Sequence, residues 1–361
     1  MIFNIFTQTK FIMKRLKGIE IIDIIAFLIT LIIFILAVGG SISGYVRPHH
    51  FKWLAIANNL LPITIISSIV LMLFWLIRRS WGFLLPLFSI IINTYTLLSI
   101  FQFRGEKEII AYNNQDIIKV INYNIHEFRH LSGYEGAANI AEFIKEEAPD
   151  ILSLQEYKNA THLNSNEMKG FFDHIPHKYI VYPDDNHLGL AIMSKYKIIR
   201  KGKIDFEDSA NRVIWADLST DRGLIRVINF HLQTTSFALQ RERDEDLFKS
   251  ISQIKHNNEM RAIQAEEVKL LADTTAHPII ICGDMNDTPS SYAYTKIKVE
   301  KVADGFREAG SKMGGTYRGM FGLFRIDYIF HSTEFKSVRY TTPDKEWSDH
   351  KPVISELVYQ N

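Results

Sequence analysis

The feature that most constrains the fold is a set of three long apolar runs within the first hundred residues. They span residues 19–38, 60–77 and 83–103, and each is nearly free of charged side chains. A bilayer core of ~30 Å needs about 20 helical residues, so each run is long enough to cross a membrane. We predict three transmembrane helices in a membrane domain of residues 1–103. Buried core helices or a cleaved signal peptide fit this pattern less well.

The charge is unevenly distributed along the chain. The 361 residues contain 41 Lys and Arg against 40 Asp and Glu, for a net charge of +1. Residues 1–103 hold eight basic and two acidic residues, so the remainder is net acidic. This balance disfavours a broad nucleic-acid-binding surface, although a local basic groove is compatible with it. The single cysteine, Cys282, excludes an intramolecular disulfide.

Basic residues beside the apolar runs predict an orientation in the membrane. Cytoplasmic flanks carry an excess of Lys and Arg. The flank before the first run and the loop between the second and third runs carry Lys10, Lys14, Arg15, Lys17, Arg78 and Arg79. Three crossings then place everything after residue 103 on the outer face of the inner membrane. Arg47 and Lys52 lie in the first loop, and Arg104 and Lys107 also count against this orientation.

The pattern changes after a polar stretch at residues 104–116, which we interpret as a linker. Residues 117–361 alternate short β-branched runs with charged amphipathic stretches, and so predict an α/β sandwich. The predicted strands are 117–123, 151–155, 188–193, 213–218, 225–230, 279–282, 326–330 and 353–358. Helices are predicted at 137–147 and 259–272.

Polar residues follow or begin these predicted strands, where loops gather into sites. They are Asn124, Glu156, His231, Asp284, Asn286, Asp327, Asp349 and His350. Each alone has an ordinary explanation, as a turn or surface residue or, for His231, as a partly buried imidazole with its hydrogen bonds satisfied. As a set they offer carboxylate and amide oxygens that suit Mg²⁺, with Mn²⁺ or Ca²⁺ as alternatives. The clustered Cys and His of a zinc site, a Walker phosphate loop and a G-x-S-x-G turn are missing from the sequence.

Six short motifs in a fixed order carry a resemblance to a known family. They are N-x-N ending at Asn124, Q-E at Glu156, N-x-H-L at His231, G-D-x-N at Asp284, R-I-D-Y-I at Asp327 and S-D-H at His350. This order resembles the endonuclease/exonuclease/phosphatase superfamily over about residues 117–359. The group includes DNase I-like nucleases, abasic-site endonucleases, inositol polyphosphate 5-phosphatases and neutral sphingomyelinases. The resemblance implies a four-layer α/β sandwich of two packed sheets flanked by helices, here preceded by three transmembrane helices.

The resemblance also implies which residues hold a metal ion. Glu156 is similar to the principal metal ligand, with Asn124 helping to hold the site. Asp349 resembles an additional metal-site acid. Arg212, near the start of a predicted strand, is a candidate phosphate contact.

The remaining motif residues resemble the groups that act on the phosphate. His350 resembles the imidazole that contacts the scissile phosphate, and Asp327 resembles its orienting carboxylate. Asp284 and Asn286 resemble the pair that positions the attacking water. His231 resembles a second phosphate-side imidazole. Whether Asp284 or His350 takes the proton of the water stays open.

These inferences predict a membrane-anchored, metal-dependent phosphoesterase. A membrane tether favours a lipid-linked or small phosphoester as the substrate. An anchored nuclease that acts on DNA is the alternative, and a binding module that kept the fold without catalysis is a third. The charged segment 234–258 follows His231 and is either a flap over the site or a solvated helix.

Overall fold

A computed structural model describes residues 20–105, 117–128, 134–157, 170–182, 189–207, 209–235 and 247–360. Several sequence predictions lie outside these residues: the basic N-terminal flank, most of the linker (106–116), and positions 236–246 of the charged segment. The described part of the chain comprises an N-terminal helical module, residues 20–105, and an α/β sandwich that begins at residue 117.

Five helices build the helical module. They are α1 (Ile21–Ser43), α2 (Lys52–Asn59), α3 (Leu61–Ile77), α4 (Leu84–Ile92) and α5 (Thr94–Ile100). Helices α2 and α3 meet at a bend of 61°, and α4 and α5 at a bend of 60°. Apolar side chains such as Ile25, Ile32 and Ile35 on α1 are more than half exposed. Such a surface suits an apolar surrounding rather than water.

The prediction of three transmembrane helices is confirmed only in part. Within the described residues, α1 alone is a single helix long and apolar enough to cross a membrane, and the number rises to three if each bent pair is one span. The third apolar run is broken at Asn93, whose side-chain amide donates to the carbonyls of Ala37 and Ser89. It also ends as a helix at Ile100, because the chain then enters a short strand.

Two six-stranded sheets form the centre of the sandwich. The first sheet has the order β13-β14-β2-β3-β5-β4, with β2 (Ile117–Asn124), β3 (Ile151–Gln155), β4 (His177–Val181), β5 (Leu190–Ser194), β13 (Phe335–Thr341) and β14 (Val353–Tyr359). The second sheet has the order β10-β12-β9-β8-β7-β6, with β6 (Lys197–Asp205), β7 (Arg212–Thr220), β8 (Gly223–His231), β9 (Ile279–Asp284), β10 (Val302–Asp304) and β12 (Asp327–Ser332). Both sheets are mixed.

Each sheet contains one parallel strand pair, and each pair is joined by a crossover helix. Helix α6 (Tyr134–Glu147) connects β2 to β3, and α7 (Leu247–Asp273) connects β8 to β9. Parallel neighbours need such a crossover, which covers an outer face of the sheet. Apolar residues of α6 and α7 pack on separate outer cores, while a third core fills the space between the sheets. The layers are therefore helix, sheet, sheet and helix, which confirms the predicted sandwich.

Short elements complete the fold. Helices α8 (Tyr292–Ile297) and α9 (Gly305–Ala309) flank β10. Strand β1 (Phe101–Gln102) directly follows α5 and pairs with β11 (Lys312–Met313). The backbone N–H of Gly314 also donates to the carbonyl of Ile100 at 2.8 Å. The end of the helical module is thus tied to the segment that precedes β12.

A buried amide network joins the two sheets beneath their strand ends. The amide of Gln155 donates to Asn122 at 2.8 Å and, across the sandwich, to Asn229 at 2.7 Å. Asn229 in turn donates to the carbonyls of Leu154 and Ala191. Directional bonds of this kind fix how the sheets lie against each other. The Q-E and N-x-H-L motifs therefore support the architecture as well as any site.

Candidate active site

Four polar residues form a continuous row across the second sheet. Arg212 lies opposite His231, His231 opposite Asp284, and Asp284 opposite Asp327. Strands β8 and β9 end at this row, whereas β7 and β12 begin there. Side chains in register on adjacent strands project to the same face. The strand pairing therefore brings together four residues that are far apart in the sequence.

The first sheet contributes Asn124 and Glu156 to the same place. Asn124 is the last residue of β2, and its amide donates to Glu156 Oε1 at 3.1 Å and to Asp284 Oδ2 at 2.9 Å. Glu156 follows β3 with φ of 51°, in the left-handed region that non-glycine residues seldom occupy. This strained turn is typical of a residue held for function. One neutral amide thus bridges an acid from each sheet.

His350 enters the site from the loop before β14. Its Nδ1 lies 2.8 Å from Asp327 Oδ2, and its Nε2 lies 3.7 Å from Asp284 Oδ2. The hydroxyl of Ser348 donates to the carbonyl of Asn124 at 2.7 Å and accepts from the N–H of His350 at 3.1 Å. Ser348 therefore attaches the S-D-H turn to the end of β2.

The electrostatics of this cluster follow from its burial. Burial raises the pKa of Asp284, and the nearby charge of Asp327 adds to the rise. Burial alone would lower the pKa of His350, but the carboxylates of Asp327 and Asp284 outweigh it and hold the pKa well above its usual value. His231 Nε2 lies 3.7 Å from Asp284 Oδ2 and 3.8 Å from Glu156 Oε1. The carboxylates and imidazoles of the cluster therefore lie close enough for their charges to interact.

Asn286, Asp349 and Arg212 lie beside this cluster. The N–H of Asn286 donates to Asp284 Oδ1 at 2.8 Å, but its side-chain amide donates to the carbonyl of Leu232. Arg212 is buried and lies 3.4 Å from Asp205, and its Nε has no partner among the described residues. Their predicted roles toward water and phosphate stay predictions.

Asp349 contacts a residue that sequence reasoning missed. Its Oδ1 lies 3.2 Å from Nδ1 of His126, whose backbone N–H donates to Asn124 Oδ1 at 3.0 Å. His126 therefore links Asp349 to Asn124 and Glu156. A histidine two residues after the N-x-N motif was a visible signal for this link.

Tyr317 is a second residue that the sequence did not single out. It forms a backbone bridge with His350, and the two rings lie 5.3 Å apart. The preceding Thr316 accepts the backbone N–H groups of Ile326 and Asp327 on its hydroxyl. Their loop has no motif of its own, so only the tertiary structure places it against the S-D-H turn.

The residues present fit a divalent cation. Ligand atoms of Asp284, Asp327 and His350 lie within 4.8 Å of one another, and all three residues are buried. Asp327 Oδ1 has no hydrogen-bond partner among the described residues. In addition, Glu156 and Asp284 converge on one uncharged donor, Asn124. Converging buried acids require a cation or a proton to balance them.

This close group differs from the predicted metal ligands Glu156, Asn124 and Asp349. Asp327 and His350 are already hydrogen-bonded to each other, which suits an orienting pair better than two ligands. The predicted ligands are joined through Asn124 and His126, and Asn124 also donates to Asp284 Oδ2. Both groups share the same buried acid edge, and the identity of the ligands stays a prediction.

Comparison with known proteins identifies the architecture. The family model "Endonuclease/Exonuclease/phosphatase family" matches residues 121–350, which include every predicted site residue. The chain belongs to this family. Its members generally hydrolyse phosphoester bonds. A second model, described as a domain of unknown function (DUF8431), matches residues 23–100 and so covers most of the helical module.

Individual relatives of the family are distant. Exodeoxyribonuclease III of Haemophilus influenzae is 27% identical over 179 residues, which cover 48% of this chain and 59% of that protein. The uncharacterized protein YbhP of Escherichia coli K12 is 24% identical over 266 residues, and the match covers 66% of this chain and 95% of that protein. The solved catalytic domain of human nocturnin, with bound sulfate, has a TM-score of 0.51 at 16% identity and covers 68% of this chain and 95% of that chain. This structural likeness shows the shared fold.

Proposed function

We propose that this protein is a membrane-anchored, divalent-metal-dependent phosphoesterase that acts on a lipid-linked or small phosphoester. The observation that carries the proposal is the convergence of Glu156, Asp284 and Asp327 with His231 and His350 at one buried edge. Acids crowded beside imidazoles are costly for folding and are typical of active sites. Phosphoester hydrolysis uses such a set to bind, orient and exchange protons.

The protein groups have separable roles in this reaction. Asp327 fixes the tautomer of His350, so that Nε2 faces Asp284 and the space where a phosphate would lie. His231 and Arg212 supply further donors to the phosphoryl oxygens. Asn124 orients Glu156 and Asp284 through its single amide group.

A bound Mg²⁺, with Mn²⁺ or Ca²⁺ as alternatives, supplies charge neutralisation on the phosphate. Glu156, Asn124 and Asp349 would hold this ion. Either Asp284 or His350 accepts the proton of the attacking water, since His350 Nε2 and Asp284 Oδ2 lie 3.7 Å apart at the same buried edge.

The position of the helical module supports a substrate near the membrane. The segment between β11 and β12 begins close to the end of α5, because the N–H of Gly314 donates to the carbonyl of Ile100. The same segment carries Tyr317 against His350 and exposes Phe321, whose side chain is 96% exposed. An exposed aromatic side chain on a segment that contacts both the module and the site favours access from a lipid surface.

The arrangement of the module is compatible with the predicted orientation. Arg78 at the end of α3 pairs with Asp23 at the start of α1. At the other end of α1, Ser43 donates to the carbonyl of Ser290 in the sandwich. We therefore infer that the sandwich lies on the opposite membrane face from Arg78, which would be the outer face. A C-terminal reporter active only in the cytoplasm would overturn this placement if it gave signal.

A nuclease that acts on DNA is the second candidate, and the relative named exodeoxyribonuclease III favours it. One experiment separates the two. The full chain in detergent micelles is incubated with Mg²⁺ or with EDTA, and His350→Ala is the matched control. The substrates are bis-p-nitrophenyl phosphate, p-nitrophenyl phosphate, plasmid DNA and phospholipid vesicles.

We expect metal-dependent cleavage of small esters or vesicle lipids with plasmid DNA left intact, and none by the variant. Rapid nicking of DNA would establish the nuclease instead. No hydrolysis of any substrate by the unmodified protein would leave only the binding-module hypothesis.

A further inference from the structure

A buried polar contact joins the helical module to the loop that carries the active-site acid. Asn58 lies on α2 and is 1% exposed. Its side-chain amide donates to Asp287 Oδ1 at 2.8 Å. Its carbonyl oxygen accepts the hydroxyls of Thr288, at 3.2 Å, and Ser290. One side chain of the module thus uses both ends of its amide on residues 287–290.

Asp287 is held from its other side by the sandwich. Arg261 of α7 donates to Asp287 Oδ2 at 2.7 Å and is fully buried. Tyr328 donates its hydroxyl to the carbonyl of Asp287 at 2.8 Å. Asn58 and Arg261 therefore bind the two carboxylate oxygens of one buried acid.

This acid is close in sequence and in space to the catalytic loop. Asp287 follows Asn286 directly and comes three residues after Asp284. Arg261 also donates to Thr235, whose hydroxyl donates to the carbonyl of Asn286 at 3.0 Å. Asp287 is therefore connected, through these hydrogen bonds and the backbone, to the turn at Asn286 and to Asp284.

The surrounding contact is close enough to keep Asn58 in place. A Cβ added to Gly44 would lie 2.5 Å from Thr295 Oγ1 and 2.9 Å from the carbonyl oxygen of Ser290. The two segments therefore approach so closely that only glycine fits at position 44. Arg47 bonds to Glu266 at 2.9 Å, and Lys52 lies 3.3 Å from Glu259. The module therefore lies along α7 and the segment after Asp287.

We propose that Asn58 is a positioning residue for catalysis, through which the helical module holds the Asp284–Asp287 loop in its working geometry. This inference rests on the proposed phosphoesterase activity. Packing alone would be served by an apolar side chain at this buried position. An amide with three specific partners instead fixes where Asp287 lies. A displacement of about 1 Å at a reacting group can cost about 100-fold in rate.

The chain offers a matched control on the same helix. Asn59 is also buried, and its Nδ2 has no partner among the described residues. Asn59→Ala removes the same atoms as Asn58→Ala without touching Asp287. Asn58→Asp keeps the size of the side chain but replaces the donor to Asp287 with a second acid.

The test measures kcat and KM of the full chain in detergent for bis-p-nitrophenyl phosphate with Mg²⁺. We expect Asn58→Asp to lower kcat by about 10- to 100-fold with KM nearly unchanged, and Asn58→Ala to lower it less. Asn59→Ala should stay within about twofold of the unmodified protein. Adding Asp287→Asn to Asn58→Asp restores one donor and one acid to the pair and should recover part of the lost kcat. A general loss of packing would not be rescued in this way.

Other outcomes overturn the inference. Equal kcat in Asn58→Asp, Asn58→Ala and Asn59→Ala would show that Asn58 only fills space. If Asn58→Asp does not fold, the kcat values of Asn58→Ala and Asn59→Ala are compared, and this comparison alone decides whether Asn58 positions the loop.

Hydrogen exchange over residues 284–290 gives a readout that needs no turnover. It should rise in Asn58→Ala and not in Asn59→Ala, and unchanged exchange would contradict the proposal. If the unmodified protein hydrolyses nothing, the proposed function fails, and the exchange result still decides whether Asn58 holds the loop.

Discussion

Two clusters of buried charge meet at the start of β12 and are built in opposite ways. Arg325 belongs to one cluster, and Asp327, two residues later, belongs to the other. Arg325 donates through both terminal nitrogens to Asp304, and Asp304 also accepts from the hydroxyl of Tyr294. One acid there faces one guanidinium. At the candidate site, Glu156 and Asp284 share one uncharged amide donor.

The difference separates structural from functional burial of charge. A paired acid with both oxygens bonded is tolerated in the interior, although it adds little stability over apolar packing. Acids that outnumber the cations beside them lower stability unless something else binds there. The Asp304–Arg325 pair is therefore expected to matter for folding, and the Asp284 cluster for catalysis.

The largest expected effect is on activity. We expect His350→Ala and Asp327→Ala each to lower kcat/KM by about 10²- to 10⁴-fold, the range for lost general acid–base groups. The double variant should lose little more than either single one, because the two side chains act as one unit. Steady-state kinetics of the three variants provide the check. Losses that multiply in the double variant would show that the pair acts separately.

Asp304→Ala should have the opposite effect, which is a large loss of stability. Removing one partner of a buried ion pair leaves an uncompensated charge on Arg325 and costs about 3–5 kcal/mol in the free energy of unfolding. Urea-induced unfolding in detergent, followed by tryptophan fluorescence, measures the loss.

Asp284→Asn is the matched comparison for Asp304→Ala. It relieves crowding among acids, so its unfolding free energy should fall far less or even rise while hydrolysis is lost. A stability loss equal to that of Asp304→Ala would mean that both clusters are structural.

Glu156→Gln tests the metal side of the cluster. The amide keeps the shape of the side chain but removes its charge, so affinity for a cation should fall. We expect the Mg²⁺ concentration for half-maximal rate to rise by about 10- to 100-fold, with a lower kcat. Titration of the rate with Mg²⁺ gives the answer. Normal turnover at ordinary Mg²⁺ would remove Glu156 from the set of ligands.

The smallest effect is expected at Arg212. It lies at the end of the row and is already near Asp205. A hydrogen bond to a charged group contributes about 1.5–3 kcal/mol, and we expect the lower end because Asp205 already lies beside the guanidinium. Arg212→Gln should therefore raise KM by about tenfold. The kcat value should change little. An unchanged KM would show that Arg212 serves only the sheet.

The strands that the sequence predicted and those it missed occupy different positions. In the described part of the chain, the predicted strands are the interior ones: β2, β3, β5 and β14 of the first sheet, and β7, β8, β9 and β12 of the second. The missed strands of these two sheets are their edges: β4, β6, β10 and β13. Strand β6 reads KIIRKGKID, with lysines that protect an exposed edge from pairing. Such charge hides the apolar pattern that marks interior strands.

The sequence by itself determined the order of the motifs and the chemical types at the strand ends. These are local properties, since a polar residue after an apolar β-branched run is visible in a few letters. They were enough to indicate the sandwich, the family and the residues of the candidate site. The apolar runs likewise indicated the helical module, but not its bends at Leu60 and Asn93.

Only the tertiary structure decided which of these residues touch. The row from Arg212 to Asp327 depends on strand register, which pairs residues up to 53 positions apart. His126 against Asp349 and Asn58 against Asp287 join segments more than 200 residues apart. Contacts of that separation depend on how whole sheets and helices pack, and no local pattern in the sequence specifies them.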